Sequence, residues 1–449
     1  MRRGFEFDAD LCVACKACNA ACSLENGFQP GTRSIMSWNE NALPLFRVIN
    51  LSLACNHCDR PLCAENCPAC AYTIENGGIV LHHQEKCMGC SYCTWRCPYD
   101  APKINEIKGY IEKCNFCIDR ASENIEPACV TACPTGALKI TFKEEFATDD
   151  TGWFPDRGLM PSLELKNAAA VSGPLIIPAE TVEYTEEEPE TVISKEPGRL
   201  KKEWSLIVFS LLVTAASALL ILPALGINIS AGPFPALMMI VAVVISFIHL
   251  GVPLRAYRAV FNVISSPLSR EIVLTVLLTV AAFMVWIFPG AIHPVVTAVL
   301  ALLTVISIDL VYLASENSTM LRLHTGQAFF LCIFMVSWFV TPITIFLVLS
   351  MITAISVVVR YKSLNRGTLA QNIYYLRALS LPAVFMLLYP GGKLTGMLAM
   401  VVFIAGIVAD RILFYDDFNP VNIRNTITEH FNNEYEKKRD KQRQDTGIP

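Results

Sequence analysis

The sequence predicts a protein of two halves, an α+β domain organised around cysteine motifs and an all-α bundle of transmembrane helices. Seventeen of the eighteen cysteines lie between Cys12 and Cys133, whereas nearly all the long apolar runs follow Trp204. The chain of 449 residues is long enough for two or three domains. Its formal net charge of −4 gives no indication of a nucleic-acid partner.

Changes in composition divide the chain into four segments. The connector between the halves contains the acidic run TEEEPE and several prolines, a composition that argues against a core of its own. We expect it to be extended and to lie over the first domain. We expect no signal peptide, because no apolar stretch follows the two N-terminal arginines. The segments are a cysteine domain over 1–140, this acidic connector over 141–203, a membrane part over 204–416 and a charged tail over 417–449.

The cysteines form four motifs in which C-x-x-C spacing recurs. The third motif reads CMGCSYCTWRCP, so its last cysteine directly precedes a proline. Three thiols on so short a loop can turn toward one [4Fe–4S] cube, whereas the fourth ligates the other cluster in bacterial two-cluster ferredoxins. The motifs are Cys12, Cys15, Cys18 and Cys22; Cys55, Cys58, Cys63 and Cys67; Cys87, Cys90, Cys93 and Cys97; and Cys114, Cys117, Cys129 and Cys133.

These motif cysteines supply the thiolates of four [4Fe–4S] clusters, which predicts a ferredoxin-like α+β iron–sulfur domain of two paired dicluster modules. Zinc is the alternative, because paired C-x-x-C units also bind zinc. We favour iron–sulfur clusters, because zinc requires neither four cysteines in every motif nor a trailing Cys-Pro. Cys70 and Cys332 are left over and are interpreted as unligated. His57, His82 and His83 are interpreted as surface or spacer residues.

The stretches ACNHCDRPLCAENCP, EKCMGCSYCTWRCPYDAPKINEIKGYIEKCNFCIDR and PACVTACPTGAL resemble the four-cluster electron-transfer subunit of dimethyl sulfoxide reductase-type molybdoenzymes, over roughly residues 5–145. Some members of that family have tryptophan at the position of Cys90 and build a [3Fe–4S] cluster, so the resemblance implies four [4Fe–4S] clusters here. It also implies these ligand sets: Cys12, Cys15, Cys18 and Cys133 for cluster 1; Cys22, Cys114, Cys117 and Cys129 for cluster 2; Cys55, Cys58, Cys63 and Cys97 for cluster 3; and Cys67, Cys87, Cys90 and Cys93 for cluster 4.

The second half contains eight apolar segments, most of them close to the ~20 residues that cross a bilayer. The run over 325–360 is too long for one span, so we place a turn at Thr341 and Pro342. A large soluble helical core is the alternative, which so many apolar runs disfavour. The predicted spans are 204–226, 232–253, 271–290, 294–315, 325–340, 342–360, 376–390 and 394–415.

His249 is the candidate catalytic residue of the membrane half. It lies near the end of the second predicted span, where an ionisable side chain is a functional candidate. Oxidation of a quinol releases two protons, and a histidine is a suitable acceptor. The alternative is an interfacial histidine bonded to water or headgroups. The stretch HLGVPLRA…SSPLSREI resembles the membrane anchor of the same reductase family, in which the matching histidine belongs to the menaquinol site.

Other ionisable residues of the membrane half are weaker candidates. DRILFY also resembles the anchor subunit, which makes Arg411 a candidate for binding the quinol cofactor, and Arg255 is a candidate for the quinol site. Asp309 and Asp410 suit either a proton route or structural pairing with an arginine. Glu271 suits a helix cap as well as a functional role.

Loop charge and family resemblance give opposite orientations in the membrane. The positive-inside rule places the cysteine domain in the cytoplasm, because the basic loops lie on its side and the opposite loops hold only Lys393. The resembled reductases place this domain on the periplasmic face. The localisation predicted in either case is the inner cell membrane, with several spans.

The resemblance therefore implies a fusion of two subunits that are usually separate. We expect an electron-transfer and anchor subunit that oxidises menaquinol near His249 and passes electrons through its clusters. The partner is expected to be a molybdenum- or tungsten-bis(pterin) catalytic subunit on which substrate is reduced. Reverse flow, from substrate to quinone, is an alternative, since cluster potentials span ~−700 to +450 mV. A redox-sensing or assembly protein without catalysis is a second alternative.

Overall fold

The computed structural model describes residues 1–38, 48–146, 154–166, 199–227, 232–315, 326–340, 380, 393–418 and 422–430. The chain forms two compact units. One unit consists of Met1–Lys195 together with Val421–Pro449, and the other is Glu196–Pro420. The first contains all four cysteine motifs and is called the cluster unit below. The second is called the helical unit.

A three-stranded sheet of order β8-β1-β9 organises the cluster unit. The central strand pairs antiparallel with β8, with Phe5 opposite Ile140, and parallel with β9, with Phe7 opposite Leu165. Phe5 and Phe7 alternate with polar residues, so both rings enter the core. Gly4 is required beside them, because a Cβ atom there would lie 2.4 Å from the carbonyl oxygen of Ser162.

Three two-stranded sheets, β2-β3, β4-β5 and β6-β7, complete the β structure. In β4-β5, Tyr72 lies opposite His82, and in β6-β7, Lys103 lies opposite Glu112. The strands are β1 Arg2–Asp8, β2 Ser34–Trp38, β3 Ile49–Leu53, β4 Tyr72–Glu75, β5 Ile79–His82, β6 Lys103–Asn105, β7 Tyr110–Glu112, β8 Leu138–Lys143 and β9 Leu163–Lys166.

Short helices follow or contain cysteines of each motif, for example Cys18 and Cys22 in α1 and Cys93 in α3. All but the first have five residues or fewer, because the motif loops leave little chain between cysteines. They are α1 Ala17–Asn26, α2 Leu62–Glu65, α3 Tyr92–Arg96, α4 Ile118–Ser122 and α5 Ala128–Thr131. The cluster unit therefore has the α+β character that its sequence predicts.

Two segments outside residues 1–140 belong to the core of the cluster unit. In the described part of the connector, the ring of Phe154 stacks on Tyr99 with centroids 5.5 Å apart. The Tyr99 hydroxyl donates to the backbone oxygen of Asp156 at 2.7 Å. After the helical unit, residues 423–430 form a helix, α12, whose Ile423 and Ile427 are buried in the same core. Part of the predicted tail over 417–449 is therefore folded into the cluster unit.

The helical unit contains four helices that are long and apolar enough to cross a membrane, or five spans if one bent pair counts as a span. The bent pair is Phe234–His249 with Pro253–Val260, at an angle of 111°. The predicted spans 342–360 and 376–390 lie outside the described residues, so the count of eight stays a prediction. The helices are α6 Arg199–Ile221, α7 Phe234–Ser246, α8 Pro267–Ile287, α9 Pro294–Leu313, α10 Ala328–Val340 and α11 Lys393–Asp417, with 3-10 segments Leu222–Leu225, Phe247–His249 and Pro253–Val260.

Two helices of this unit begin with side-chain caps followed by proline. Ser266 caps α8 by accepting a hydrogen bond from the backbone nitrogen of Ser269, and Pro267 is the first helical residue. His293 caps α9 by accepting from Val295, and Pro294 follows it. Proline suits this position because its missing N–H has no acceptor in the first turn.

Candidate functional site

The four cysteine motifs share one backbone feature that spacing alone does not reveal. In the first C-x-x-C loop of each motif, the residue immediately before the second cysteine has a left-handed conformation. Three of these residues are not glycine, although a side chain disfavours positive φ. Only the glycine of the third motif signals the feature in the sequence. The residues and their φ angles are Ala14 at 53°, His57 at 45°, Gly89 at 71° and Phe116 at 59°.

The left-handed residue directs its backbone N–H at the first sulfur of its motif. His57 donates to Cys55 Sγ at 3.5 Å, Gly89 to Cys87 Sγ at 3.4 Å and Phe116 to Cys114 Sγ at 3.4 Å. Ala14 makes the same contact with Cys12. A sulfur that carries negative charge is stabilised by such donors, so the loops are shaped for thiolates.

The first and fourth motifs meet in two sets of four thiols. The thiols are close enough for their charges to act on one another. Cys12 interacts in this way with three cysteines, which are Cys15, Cys18 and Cys133. Cys22 interacts with Cys117 and Cys129, and Cys114 interacts with Cys22 and Cys129. Set 1 is Cys12, Cys15, Cys18 and Cys133; set 2 is Cys22, Cys114, Cys117 and Cys129.

The second and third motifs meet in the same manner. Each set combines three cysteines of one motif with the last cysteine of the other. Cys58 interacts with three thiols, those of Cys55, Cys63 and Cys97. Cys93 likewise interacts with Cys67, Cys87 and Cys90. Set 3 is Cys55, Cys58, Cys63 and Cys97; set 4 is Cys67, Cys87, Cys90 and Cys93.

Electrostatic interactions between cysteines of neighbouring sets order them from set 1 to set 4. Cys18 of set 1 interacts with Cys22 and Cys129 of set 2. Cys114 of set 2 interacts with Cys55 of set 3. The buried Tyr72 interacts with cysteines of both remaining sets, Cys63, Cys67 and Cys93. These interactions between neighbouring sets support the order 1-2-3-4.

The donor chemistry of the sets fits [4Fe–4S] clusters. Each set offers four thiols, the complement that a cubane takes. Among the described residues, no three His, Cys, Asp or Glu side chains have the arrangement that a single metal ion needs. A cubane binds each thiolate through a different iron atom, so its ligands stand further apart than those of a mononuclear site. The number of thiols in each set and their grouping are therefore the features that indicate a cubane.

Burial raises the pKa of most of these thiols, so they lose their protons only when a metal binds. It raises the pKa of Cys22 to about 12 and that of Cys67 to about 11. Such sulfurs are protonated at neutral pH, and a bound metal displaces the proton. Cys133 is the exception. Burial would raise its pKa, but hydrogen bonds from the backbone of Leu138 and from Thr135 lower it below the ordinary value.

His57 is a core residue, which corrects its interpretation as a surface or spacer residue. It is 1% exposed, its Nδ1 accepts a hydrogen bond from the Val80 backbone at 3.1 Å, and its ring packs edge-on against Phe116. Burial lowers the pKa of His57 well below its usual range, and the charge of Lys113 lowers it further. The imidazole is therefore neutral. It supports the loop of the second motif.

The two cysteines outside the sets differ in environment. Cys70 is exposed, whereas Cys332 is fully buried within α10. Cys70 has a positive φ of 48° and follows set-4 Cys67 by three residues. Their interpretation as unligated residues stays a prediction.

His249 lies at the sharp bend of the helical unit. It ends the segment Phe247–His249, and the next helical segment begins at Pro253. Its Nδ1 is buried and has no hydrogen-bond partner among the described residues, while the ring approaches the backbone of Ser246. Arg255 follows on the second arm of the bend and is partly exposed. A buried ring nitrogen without a partner is available to a ligand's hydroxyl.

Arg411 is fully buried and joins four parts of the helical unit. Its Nε donates to Ser210 Oγ at 2.9 Å and its Nη1 to the Gly326 carbonyl at 2.9 Å. Nη1 also lies 3.7 Å from Asp309 Oδ1, and the guanidinium packs over the ring of Phe414 at 4.6 Å. Every one of these contacts is to protein. Its predicted contact with quinol stays a prediction.

Asp309 has a structural partner in addition to Arg411. Its two carboxylate oxygens accept hydrogen bonds from the backbone of Ala328 and Phe329, at 2.8 and 2.9 Å, and so cap the start of α10. Just before this cap, Gly326 lies against α11, where a Cβ atom would be 2.3 Å from the Asp410 carbonyl oxygen. The structural role that the sequence left open for Asp309 is thus present.

Glu271 does not cap α8, since Ser266 performs that role and no acidic residue lies in the first turn. Glu271 is instead buried, one turn into the helix, where it interacts with the charges of Arg411 and Asp309. Asp410 is also fully buried. Glu271, Asp309 and Asp410 thus lie in the interior of the described part of the helical unit.

Comparisons with known proteins concern the cluster unit. A model of the family described as "4Fe-4S dicluster domain" matches residues 46–143. The B subunit of anaerobic dimethyl sulfoxide reductase from Escherichia coli K12 is 36% identical over an alignment of 149 positions, and the match covers 30% of this chain and 71% of the relative. The corresponding subunit from Haemophilus influenzae is 36% identical over 156 residues, 32% of this chain and 76% of the relative. The iron-sulfur subunit of nitrate-inducible formate dehydrogenase from E. coli K12 is 35% identical over 158 residues, 31% of this chain and 53% of the relative.

Proposed function

Since the chain belongs to the family of iron–sulfur subunits that includes the B subunit of anaerobic dimethyl sulfoxide reductase, we propose that it is the electron-transfer and membrane-anchor subunit of a respiratory oxidoreductase. It oxidises menaquinol at the helical unit and conducts the electrons through four [4Fe–4S] clusters to a separate catalytic subunit. The observation that carries this proposal is the row of four thiol sets, each built from two motifs. Four cluster sites in a row, each near the next, are the arrangement that electron transfer through the protein requires.

In this proposal, sets 1 to 4 hold clusters 1 to 4. When bound, each cluster takes up and releases one electron. The cysteines fix the clusters, and the N–H donors of His57, Gly89 and Phe116 offset the charge on the sulfurs. Set 4 is the entry on the quinol side and set 1 the exit toward the partner, an assignment that follows the family resemblance.

His249 is the proposed acceptor of a quinol proton. Menaquinol loses two electrons and two protons on oxidation, so the site needs a base as well as an electron acceptor. The unpartnered, buried Nδ1 of His249 supports this role. Arg255 and Arg411 are proposed to assist quinol binding, Arg255 from the second arm of the bend and Arg411 from the interior.

The catalytic partner is proposed to be a molybdenum- or tungsten-bis(pterin) subunit, since the relatives are subunits of dimethyl sulfoxide reductase and formate dehydrogenase. A reductase receives electrons from quinol, whereas a dehydrogenase delivers them to quinone, so the two relatives imply opposite directions of electron flow. Reduction of a small oxidised substrate is our first proposal, because the dimethyl sulfoxide reductase subunits match over a larger share of their length. Oxidation of substrate with delivery to quinone is the alternative.

The proposal is tested by adding a reduced menaquinone analogue to membranes that contain the protein and recording EPR spectra. We expect the analogue to give EPR signals of reduced clusters. Dithionite is expected to add signals only from clusters whose potentials are too low for the analogue to reduce. A redox sensor or assembly protein would give no reduction by the analogue, although dithionite would still reduce its clusters. That outcome would overturn the conduit while leaving the cluster assignment intact.

A further inference from the structure

Two cations are buried in the cluster unit, each at a junction between thiol sets. Arg33 is 2% exposed and Lys113 is 3% exposed. The four cysteine charges that act most strongly on Arg33 belong to sets 1 and 2 and are Cys18, Cys22, Cys114 and Cys129. Those that act on Lys113 belong to sets 2 and 3 and are Cys55, Cys63 and Cys114. Each cation therefore faces two neighbouring sets.

Arg33 is linked to set 1 through one serine, and two of its guanidinium nitrogens have no hydrogen-bond partner among the described residues. Its Nη1 donates to Ser52 Oγ at 3.1 Å, and Ser52 Oγ lies 3.3 Å from Cys18 Sγ. The guanidinium also packs over Phe5, 4.7 Å from the ring centroid. Its Nε and Nη2 are buried and have no hydrogen-bond partner among the described residues. The charge is thus held in place by contacts that do not neutralise it.

Lys113 is held in the same way by neutral acceptors. Its Nζ donates to the backbone oxygen of Cys114 at 2.8 Å and to that of Val80. It also forms a hydrogen bond with the sulfur of Cys55. The neighbouring His57 is neutral, so it provides no charge of its own.

A buried charge is costly unless an opposite charge lies close to it. Within the described part of the cluster unit, no carboxylate forms an ion pair with Arg33 or Lys113. Among the described residues, the negative groups that act on both cations are cysteine sulfurs. Their stability as buried cations therefore depends on thiolates, and the thiolates in turn experience a fixed positive charge in a medium that screens it weakly.

We propose that Arg33 and Lys113 are positioning residues that hold a fixed positive charge at the first two junctions and thereby raise the reduction potentials of the clusters on both sides. Arg33 acts on clusters 1 and 2, and Lys113 on clusters 2 and 3. A reduced cluster carries one more negative charge than an oxidised one, so a nearby cation stabilises the reduced form more. In the described part of the unit, the side chain found at the third junction is the neutral Tyr72, so cluster 4 is expected to receive no such contribution. The inference rests on the four-cluster assignment above.

The test is an EPR-monitored redox titration of the assembled, full-length protein. Arg33→Met is expected to shift clusters 1 and 2 to lower potential and to leave cluster 4 unchanged. Lys113→Met is expected to shift clusters 2 and 3 in the same direction. Arg33→Lys and Lys113→Arg retain the charge and are expected to have reduction potentials close to those of the wild type. Lys139→Met removes an exposed cation of the same unit and is expected to change no potential.

The measurement separates failure of this inference from failure of the proposed function. Iron and acid-labile sulfide content, measured first on the wild-type protein, reports whether four clusters are present. Unchanged potentials in both Met variants, or equal shifts of all four clusters, would overturn the roles of Arg33 and Lys113 with the cluster assignment intact. If a Met variant loses iron, Arg33→Gln or Lys113→Gln is titrated instead. A charge-retaining variant with the low potentials of its Met or Gln counterpart would overturn the inference as well.

Discussion

The indole nitrogen of Trp38 donates a hydrogen bond to the Thr428 hydroxyl at 3.1 Å, across 390 positions of sequence. A second bond of the same kind joins Arg157 to Thr426 at 3.2 Å. On the same helix, Ile423 and Ile427 enter the hydrophobic core of the cluster unit. The helix α12 that follows the helical unit is thus an integral part of the iron–sulfur domain.

The first prediction concerns the stability of this attachment. Ile427→Ala is expected to destabilise the cluster unit by about 2–5 kcal/mol, because a fully buried side chain is removed. Trp38→Phe removes this hydrogen bond together with part of a buried ring, so it is expected to cost more than the about 0.5–1.5 kcal/mol of a hydrogen bond alone. Loss of cluster absorbance during heating measures both effects. Glu429→Ala, on the exposed face of α12, is the matched control. Equal melting of Ile427→Ala and this control would contradict a packing role.

The second prediction concerns membrane topology. The chain leaves the cluster unit before residue 196 and returns to it after residue 420, so an even number of crossings must separate these points. An epitope tag placed after α12 and a second tag at the N-terminus are expected to be accessible from the same side of intact vesicles. Opposite accessibility would require an odd number of spans and would contradict the assignment of α12 to the cluster unit.

The third prediction concerns cluster 4. Cys90→Trp is expected to leave three thiolates, Cys67, Cys87 and Cys93, and to convert this cluster to a [3Fe–4S] form. The conversion is visible as an EPR signal of the oxidised protein that the wild type lacks. Cys70→Ala is the control and is expected to give the wild-type spectrum, because Cys70 is exposed and outside set 4. A new signal in the control, or none in Cys90→Trp, would contradict this ligand set.

The fourth prediction separates the structural role of the Asp309–Arg411 pair from a role in quinol binding. Asp309→Ala removes the carboxylate that forms an ion pair with the buried guanidinium and is expected to destabilise the helical unit by about 3–5 kcal/mol. Thermal unfolding in detergent measures the effect. Arg411→Met is expected to weaken the fold similarly. If Arg411→Met instead left the melting temperature unchanged and raised only the quinol concentration needed for half-maximal reduction, Arg411 would belong primarily to the quinol site.

Much of the cluster unit can be predicted from sequence, because cysteine spacing constrains its loops directly. The left-handed φ of Ala14 and Phe116 cannot be predicted in this way, since only Gly89 carries a residue preference for it. The burial of Arg33, Lys113 and His57 is equally hidden. Charged and imidazole side chains are usually exposed, and the tertiary structure alone places these three among the sulfurs.

The ends of the units are harder to predict than their motifs. The basic composition after residue 430 favours a charged tail, but the apolar Ile423 and Ile427 stand one helical turn apart just before it. That spacing is typical of a packed helix, although two residues are too short a pattern to predict one. Apolar length predicts the helices α6, α8, α9 and α11 well. It does not predict the 111° bend beyond His249, where Pro253 begins a new segment.

The most direct test of the central claim is the rate at which a reduced menaquinone analogue reduces the clusters in His249→Ala, with Arg258→Ala on the same bent segment as control. The account predicts a loss of at least about 100-fold in His249→Ala, the lower range for removing a general base. Dithionite should still reduce all clusters of the variant, and Arg258→Ala should retain most of the rate. A wild-type rate in His249→Ala would contradict the proposal that quinol is oxidised at this histidine.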